Sequence, residues 1–287
     1  MTRLRRAWEL SRLREVHTSA GQYAVGFLLL KELSPLAGLG LAAALGGGLF
    51  AFTYNTLMDF RGGQGMKAGG QGPAALTSAD VRLSRIFCLA GLAVCLGGTA
   101  LLIRWSGRVA GPACLLLYCA IGYLYSSPAF RWKHIPGLEC ASNGLAHALP
   151  FLAGYLQFRP LDQPGALYAL AWFLFMAGFY LLHCLEDAAS DREAGIRNLC
   201  ARMSSRQVVE WALAATALSA VLLFAAGLYL PVLFLLIPFH AMAIRHEAAL
   251  LGTGRLPRVN RIRKTGRWYG LIFFAVLVIR AVVGKWI

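Results

Sequence analysis

Nine runs of mostly apolar residues, each about as long as a membrane-crossing helix, limit this chain's fold more than any other feature. They cover 19–33, 35–58, 82–103, 109–127, 139–157, 165–185, 207–229, 230–246 and 267–286, with Gly, Pro and charge between them. The first two runs touch at Lys31-Glu32 ahead of Pro35, and the seventh and eighth touch at Pro231. At about 20 residues each the nine account for roughly 180 positions, which leaves no room for a second soluble domain. The expected fold is all-α, a polytopic membrane helix bundle of about nine transmembrane helices. Residues 1–18 would form a basic N-terminal cytoplasmic tail and 19–287 a single transmembrane domain.

Composition agrees. Hydrophobic residues make up 58% of the 287 and charged ones only 14%, where soluble domains carry about 25%. Disordered chains lack this apolar mass. A net charge of +15 would suit a nucleic-acid binder, but such a protein needs far more polar surface than this chain can offer.

The excess charge has a topological reading. With the N-terminus inside, 22 of the 28 Lys and Arg fall on inner segments, as the positive-inside rule requires. The expected location is a cell membrane, of the prokaryotic inner-membrane type, with a cytoplasmic N-terminus and cytoplasmic active-site loops. Arg3 to Arg14 form a basic run without a cleavable apolar core, so no signal peptide is expected. The spacing of Leu4, Trp8, Leu10 and Leu13 suits either a helix lying on an anionic leaflet or a plain anchor. The seven cysteines, at 88, 95, 114, 119, 140, 184 and 200, show no C-x-x-C spacing and read as small apolar fillers.

Carboxylates at membrane depth are costly and therefore informative. Asn55 and Asp59 lie four residues apart at the inner end of the second run, and Asp187 and Asp191 repeat that spacing at the inner end of the sixth. On a helix this places each pair on one face, a turn apart. Taken singly, either motif also reads as solvated acids paired with Arg61, Arg192 or Arg197. Two such pairs at equivalent ends favour a hard divalent cation, since Mg²⁺ binds through one or two carboxylates plus substrate phosphates. The short segment Tyr125 to Gly137, fixed by Pro128 and Pro136, adds Arg131 and Lys133. Beside a diphosphate these would neutralise leaving-group charge, although positive-inside punctuation also explains them. The glycine-rich stretch Gly62 to Pro73 has amides that a phosphate could approach, or it is an ordinary flexible lid.

These residues resemble the UbiA superfamily of intramembrane prenyltransferases over nearly the whole chain. Asp187-x-x-x-Asp191-Arg-x-Ala-Gly195 is close to the family's second Asp-rich run, and Tyr125-Ser-x-Pro-x-x-Arg131-x-Lys133 resembles its loop between helices four and five. Arg14 sits where the family places an Arg before its first helix. The first motif departs from the family's N-D-x-x-D-x-x-x-D, with Thr56 in the second position and Gly63 in the last.

The resemblance implies Mg²⁺ held by Asn55, Asp59, Asp187 and Asp191, and a diphosphate contacted by Arg14, Arg131 and Lys133. It also implies a catalytic set of Asp59, Asp187, Lys133 and Tyr125. The expected reaction is Mg²⁺-dependent transfer of a prenyl group from an isoprenoid diphosphate to a lipophilic acceptor within the membrane. The acceptor could be an aromatic ring, a quinone precursor, a carotenoid end, a tetrapyrrole acid or another lipid. Membrane lipids are expected partners and nucleic acid is not. The alternatives are a terpene cyclase on the same scaffold and a non-catalytic lipid-binding membrane protein. Tyr54 and Tyr125 could face a developing cation, and Asn143, His147 and His183 could orient an acceptor or simply hydrogen-bond between helices.

Overall fold

The computed structural model describes the backbone of residues 3–61, 66–68, 71–74, 77–193, 198–227 and 274–283. It describes their side chains except at 3–5, 14, 61, 66–68, 71–74 and 185–193. In chain order the elements are α1 (Arg3–Leu10), α2 (Leu13–Leu29), α3 (Pro35–Arg61), β1 (Met66–Ala68), β2 (Gln71–Ala74), α4 (Ser78–Ser106) and α5 (Ala110–Ser126). A 3-10 turn at Trp132–His134 leads into α6 (Leu138–Leu156), followed by α7 (Gln163–Glu193), α8 (Leu199–Arg202) and α9 (Ser205–Ala225). A last helix, α10, covers Phe274–Val283.

Seven of the nine expected spans correspond to α2 through α7 and α9, and α10 lies inside the ninth. The eighth, 230–246, lies outside the described residues. Among the described residues four helices are long and apolar enough to cross a membrane: Pro35–Phe60, Ser78–Ser106, Gln163–Cys184 and Ser205–Ala225. Their outward faces are apolar too. Leu89 is 67% exposed on α4 and Trp211 65% exposed on α9, a placement suited to lipid tails and not to water.

The helix ends follow local chemistry. Thr77 opens α4 with a reciprocal capping box to Asp80, and Gly107 closes it in the left-handed region at φ 68°. Ser204 and Gln207 form the same box at the start of α9. Pro35 stands at the first position of α3, where its missing N–H leaves no helical bond unmade.

The chain divides into two compact units. One comprises Met1–Trp132 with Leu149–Pro160, and the other Lys133–Ala148 with Leu161–Ile287. In the first, α3 and α4 approach at paired glycines: a Cβ on Gly46 would lie 2.7 Å from the Gly91 carbonyl oxygen, and one on Gly91 equally close to that of Gly46. Small residues of this kind replace the hydrophobic drive that lipid removes between helices. The unit's fully buried side chains include Tyr23, Leu102, Leu115 and Phe151. In the second, Cys140, Leu181, Cys184, Cys200 and Val208 form one buried cluster, and the Ser219 hydroxyl of α9 donates to the Ala171 carbonyl of α7 at 2.7 Å. The cysteines are the apolar fillers expected, and all seven are free.

Two features go beyond what the sequence shows. The basic N-terminal run is a helix docked on protein, because Leu10 is 0% exposed and packs against Phe60, Val81, Leu83 and Phe87. Arg6 completes the docking through a two-pronged pair with Asp80, Nε to Oδ1 at 2.9 Å and a terminal nitrogen to Oδ2 at 2.8 Å. The glycine-rich stretch contains the antiparallel pair β1–β2, with Met66 opposite Ala74 and Ala68 opposite Gln71.

Candidate active site

The first acid motif is built on the last turns of α3. Asn55 and Asp59 share a face as their spacing requires, and the Asn55 amide donates from Nδ2 to Asp59 Oδ2 at 3.1 Å. The other end of the amide is held from α5, where the Ser126 hydroxyl donates to Asn55 Oδ1 at 2.8 Å. Ser126 is 1% exposed. In the sequence it is the Ser of the Tyr125-Ser-x-Pro stretch, where nothing marks its contact with Asn55.

Thr56, the departure from the family motif, is 2% exposed. Its hydroxyl donates to the Phe52 carbonyl at 3.1 Å within α3. It therefore stands on a packed face of α3.

Rings line the same region of the first unit. Tyr54 stacks between Phe50 and Tyr123, with centroids 5.7 and 5.4 Å away, and Tyr123 meets Phe130 edge-on at 6.4 Å. Tyr54 is thus part of a packed ladder that ends on half-exposed rings. Tyr125 is half-buried in the last turn of α5. Beyond it Arg131 takes a left-handed backbone at φ 45°, its N–H donating to the Ser127 carbonyl at 2.8 Å. Arg131 is exposed, whereas Lys133 in the following 3-10 turn is half-buried.

The second motif belongs to the second unit. Asp187 and Asp191 both lie in α7, which continues to Glu193, so the i,i+4 spacing falls on helix as expected. Their side chains, that of Arg14 in the first turn of α2, and Gly195 and Arg197 lie outside the described residues. Asn143 donates to the Glu139 carbonyl of its own helix at 2.9 Å, and the His183 ring meets Tyr180 edge-on at 6.3 Å.

The described donors suit a hard cation in part. Asn55 and Asp59 present amide and carboxylate oxygens a turn apart, the ligand type Mg²⁺ takes. Among the described residues no cluster of three or more His, Cys, Asp or Glu could hold a metal. Any cation at the first motif must therefore complete its shell from elsewhere, and phosphate and water oxygens are its ordinary further ligands.

A multi-pass helical scaffold with an amide–carboxylate pair at the end of one apolar helix and two aspartates near the end of another defines a class of intramembrane protein. The chain belongs to the UbiA prenyltransferase family, whose pattern it matches over residues 18–277. The structure resembles that of a UbiA homolog from Archaeoglobus fulgidus bound to GPP and Mg²⁺, with a TM-score of 0.72 at 22% identity over 96% of this chain and 99% of that one. In sequence it is similar to the lycopene elongase/hydratase of Haloferax volcanii, 36% identical over 40% of this chain and 38% of the relative. It is also similar to that of Haloarcula japonica, 29% identical over 57% of this chain and 53% of the relative. The matches thus span about half or less of these relatives' lengths.

Proposed function

We propose that the protein transfers a prenyl group from an isoprenoid diphosphate to a polyene acceptor of the carotenoid type, within the membrane and with Mg²⁺. The observation that carries the reading is the buttressed pair Asn55–Asp59, held by Ser126 on a scaffold of this family. The acceptor class rests on the similarity to the two lycopene elongase/hydratases.

In this reading Asn55, Asp59, Asp187 and Asp191 hold the cation, and Arg131, Lys133 and Arg14 contact phosphate oxygens. Bound Mg²⁺ supplies charge neutralisation for a departing diphosphate. The Asn55 Nδ2 faces Asp59 Oδ2, so for the two to share a cation the amide would turn to present Oδ1, an orientation the Ser126 hydroxyl can also support. Lys133, half-buried in its 3-10 turn, acts where solvent screens it less than it screens Arg131. The allylic C–O bond breaks with its electron pair leaving on diphosphate, and an acceptor double bond supplies the pair for the new C–C bond. The resulting cation loses a proton or takes up water. The apolar helix interiors keep water from quenching the allylic cation early. Tyr125 stands at the end of α5 with a π-face of the kind that favours positive charge. The mouth of the site and the N-terminus would face the cytoplasm, a reading that the Lys and Arg distribution supports.

The test is product analysis. Membranes containing the protein are given labelled dimethylallyl or geranyl diphosphate, with and without Mg²⁺, and lycopene or a phenolic acceptor. A prenylated polyene formed only with Mg²⁺ is expected. A prenylated phenol would overturn the acceptor assignment, a cyclic hydrocarbon without acceptor would replace transfer by cyclisation, and no turnover would defeat both.

A further inference from the structure

Asp59 stands in the last turn of α3, which ends at Arg61. The last four carbonyls of a helix have no partner within it, and terminal turns open easily. A cation ligand placed there needs outside support if it is to keep one geometry. Ser126 gives that support to Asn55, one turn further in. For the Asp59 end, α1 is the element placed to supply it.

Leu10, the last residue of α1, is fully buried between two helix ends. It packs against Phe60, the neighbour of Asp59 in the last turn of α3, and against Val81, Leu83 and Phe87 in the first turns of α4. One turn earlier Arg6 holds Asp80 through two parallel hydrogen bonds, at 2.9 and 2.8 Å. Asp80 is itself fixed, since it accepts from the Thr77 N–H and closes the cap of α4. The other end of α1 is equally firm. Arg12, in the left-handed region at φ 54°, turns the chain into α2, and its guanidinium pairs with Glu15 at 3.3 Å. On α2, Val16 meets α3 at Gly48, where a Cβ would lie 3.2 Å from Val16 Cγ1. The Ser19 hydroxyl lies 2.6 Å from that of Tyr118 on α5. Within the first unit, therefore, α1 is pinned to α4 and continues into a packed α2, with Leu10 set against the turn that carries Asp59.

We infer that α1 is a splint for the first acid motif, with Leu10 and Arg6 as positioning residues for Asp59. Leu10 wedges Phe60, and with it the last turn of α3, against the capped start of α4, while Arg6 keeps the wedge in place. Both act through the backbone of α3, not on a reactant. What Asn55 and Asp59 hold rests on the prenyl-transfer reading; the bracing does not. Because the splint acts on placement, its loss raises the Mg²⁺ concentration needed for diphosphate binding and leaves turnover at saturating Mg²⁺ close to that of the parent.

Three variants of the full chain and a control test this. Leu10→Ala removes the wedge and keeps a helix former, Arg6→Met removes the hold on Asp80, and the double variant removes both. Trp8→Ala is the control, since Trp8 is 49% exposed on the face of α1 that a leaflet would hold. Hydrogen exchange is read over residues 3–10 and 55–61, together with Mg²⁺ titration of geranyl diphosphate binding. All three variants are expected to speed exchange in both segments, and the double variant to raise the half-saturating Mg²⁺ about tenfold. Trp8→Ala should match the parent throughout. Fast exchange over 3–10 with parent-like exchange over 55–61 would overturn the inference, because α1 would then be released without loosening the turn of Asp59. Parent-like protection of 3–10 in the double variant would overturn it too, since Leu10 and Arg6 would not be what holds α1. So would faster exchange in both segments with an unchanged Mg²⁺ requirement. A Trp8→Ala effect as large as that of Leu10→Ala would also overturn it, moving the action of α1 to the membrane surface. If the double variant does not fold, the single variants decide by the same criteria. A parent protein that binds no geranyl diphosphate at any Mg²⁺ concentration defeats the prenyl-transfer reading, and the exchange comparison still decides the bracing.

Discussion

The Ser126 hydroxyl donates to Asn55 Oδ1 at 2.8 Å and so fixes, from α5, the orientation of an amide on α3. That amide turns its Nδ2 toward Asp59. A hydroxyl both donates and accepts, so Ser126 can support the amide in either orientation, including one that turns its oxygen toward a cation. Ser126→Ala should therefore weaken Mg²⁺ use more than it weakens the fold. We expect the half-saturating Mg²⁺ to rise about tenfold, the scale of lost outer-shell support, and stability to fall by about 1 kcal/mol, that of one hydrogen bond. Mg²⁺ titration of turnover with thermal unfolding on the same preparation checks both. Equal Mg²⁺ dependence in variant and parent would mean that Ser126 only packs.

The bundle and the two acid pairs are legible in the sequence because each depends on short-range spacing. Runs of about 20 apolar residues mark spans, and the i,i+4 spacing of Asn55 with Asp59 marks a shared face. Ser126 is not legible, because its partner lies 71 residues away. A hydrogen bond from the Leu199 N–H to Glu139 Oε1 is hidden for the same reason, at 60 residues. The docking of α1 fails differently. An apolar stripe containing Leu10 suits a leaflet and a protein groove equally well, and only the contact with Phe60, Val81, Leu83 and Phe87 decides between them. In the glycine-rich stretch the β1–β2 pairing belongs to the backbone, so side-chain chemistry carries little sign of it.

Restoring the family's second-position acid should not improve the site. Thr56 is 2% exposed and bonded back to Phe52, so Thr56→Asp places a carboxylate in a packed face without a partner for its charge. An unfavourable burial of about 1–3 kcal/mol follows. A lower unfolding temperature with no gain in Mg²⁺ affinity is the expected result, read by thermal denaturation and Mg²⁺ titration. A variant that bound Mg²⁺ more tightly at unchanged stability would show that position 56 reaches the cation.

The docking of α1 should be insensitive to pH over the physiological range. Asp80 precedes the apolar run that starts at residue 82, and the Arg6 guanidinium, aided by the Thr77 N–H, holds its carboxyl well below the usual 3.8. The same pair holds Arg6 above its ordinary value. A depressed carboxyl contributes stability at neutral pH and loses it only as pH falls below the unfolded value toward the folded one. Hydrogen exchange over residues 3–10 should thus stay constant from neutral down to about pH 4 and rise below it. Arg6→Met, which leaves the Thr77–Asp80 capping box intact, should show fast exchange at neutral pH already. Protection in Arg6→Met equal to the parent's would assign the docking to Leu10 alone.

Arg131 and Lys133 should separate by salt. Arg131 is exposed on a left-handed backbone, so Arg131→Asn removes the cation while keeping a residue that tolerates that conformation. Lys133→Gln removes a half-buried cation from the next turn. Exposed charge is screened within about 10 Å at moderate salt, and buried charge much less. Both variants should raise the KM for diphosphate, Lys133→Gln about tenfold and Arg131→Asn by less. Raising the salt should narrow the difference between Arg131→Asn and the parent and leave that for Lys133→Gln standing. Steady-state kinetics at two ionic strengths measures this, and a Lys133→Gln effect that salt erases would place Lys133 outside the diphosphate's reach.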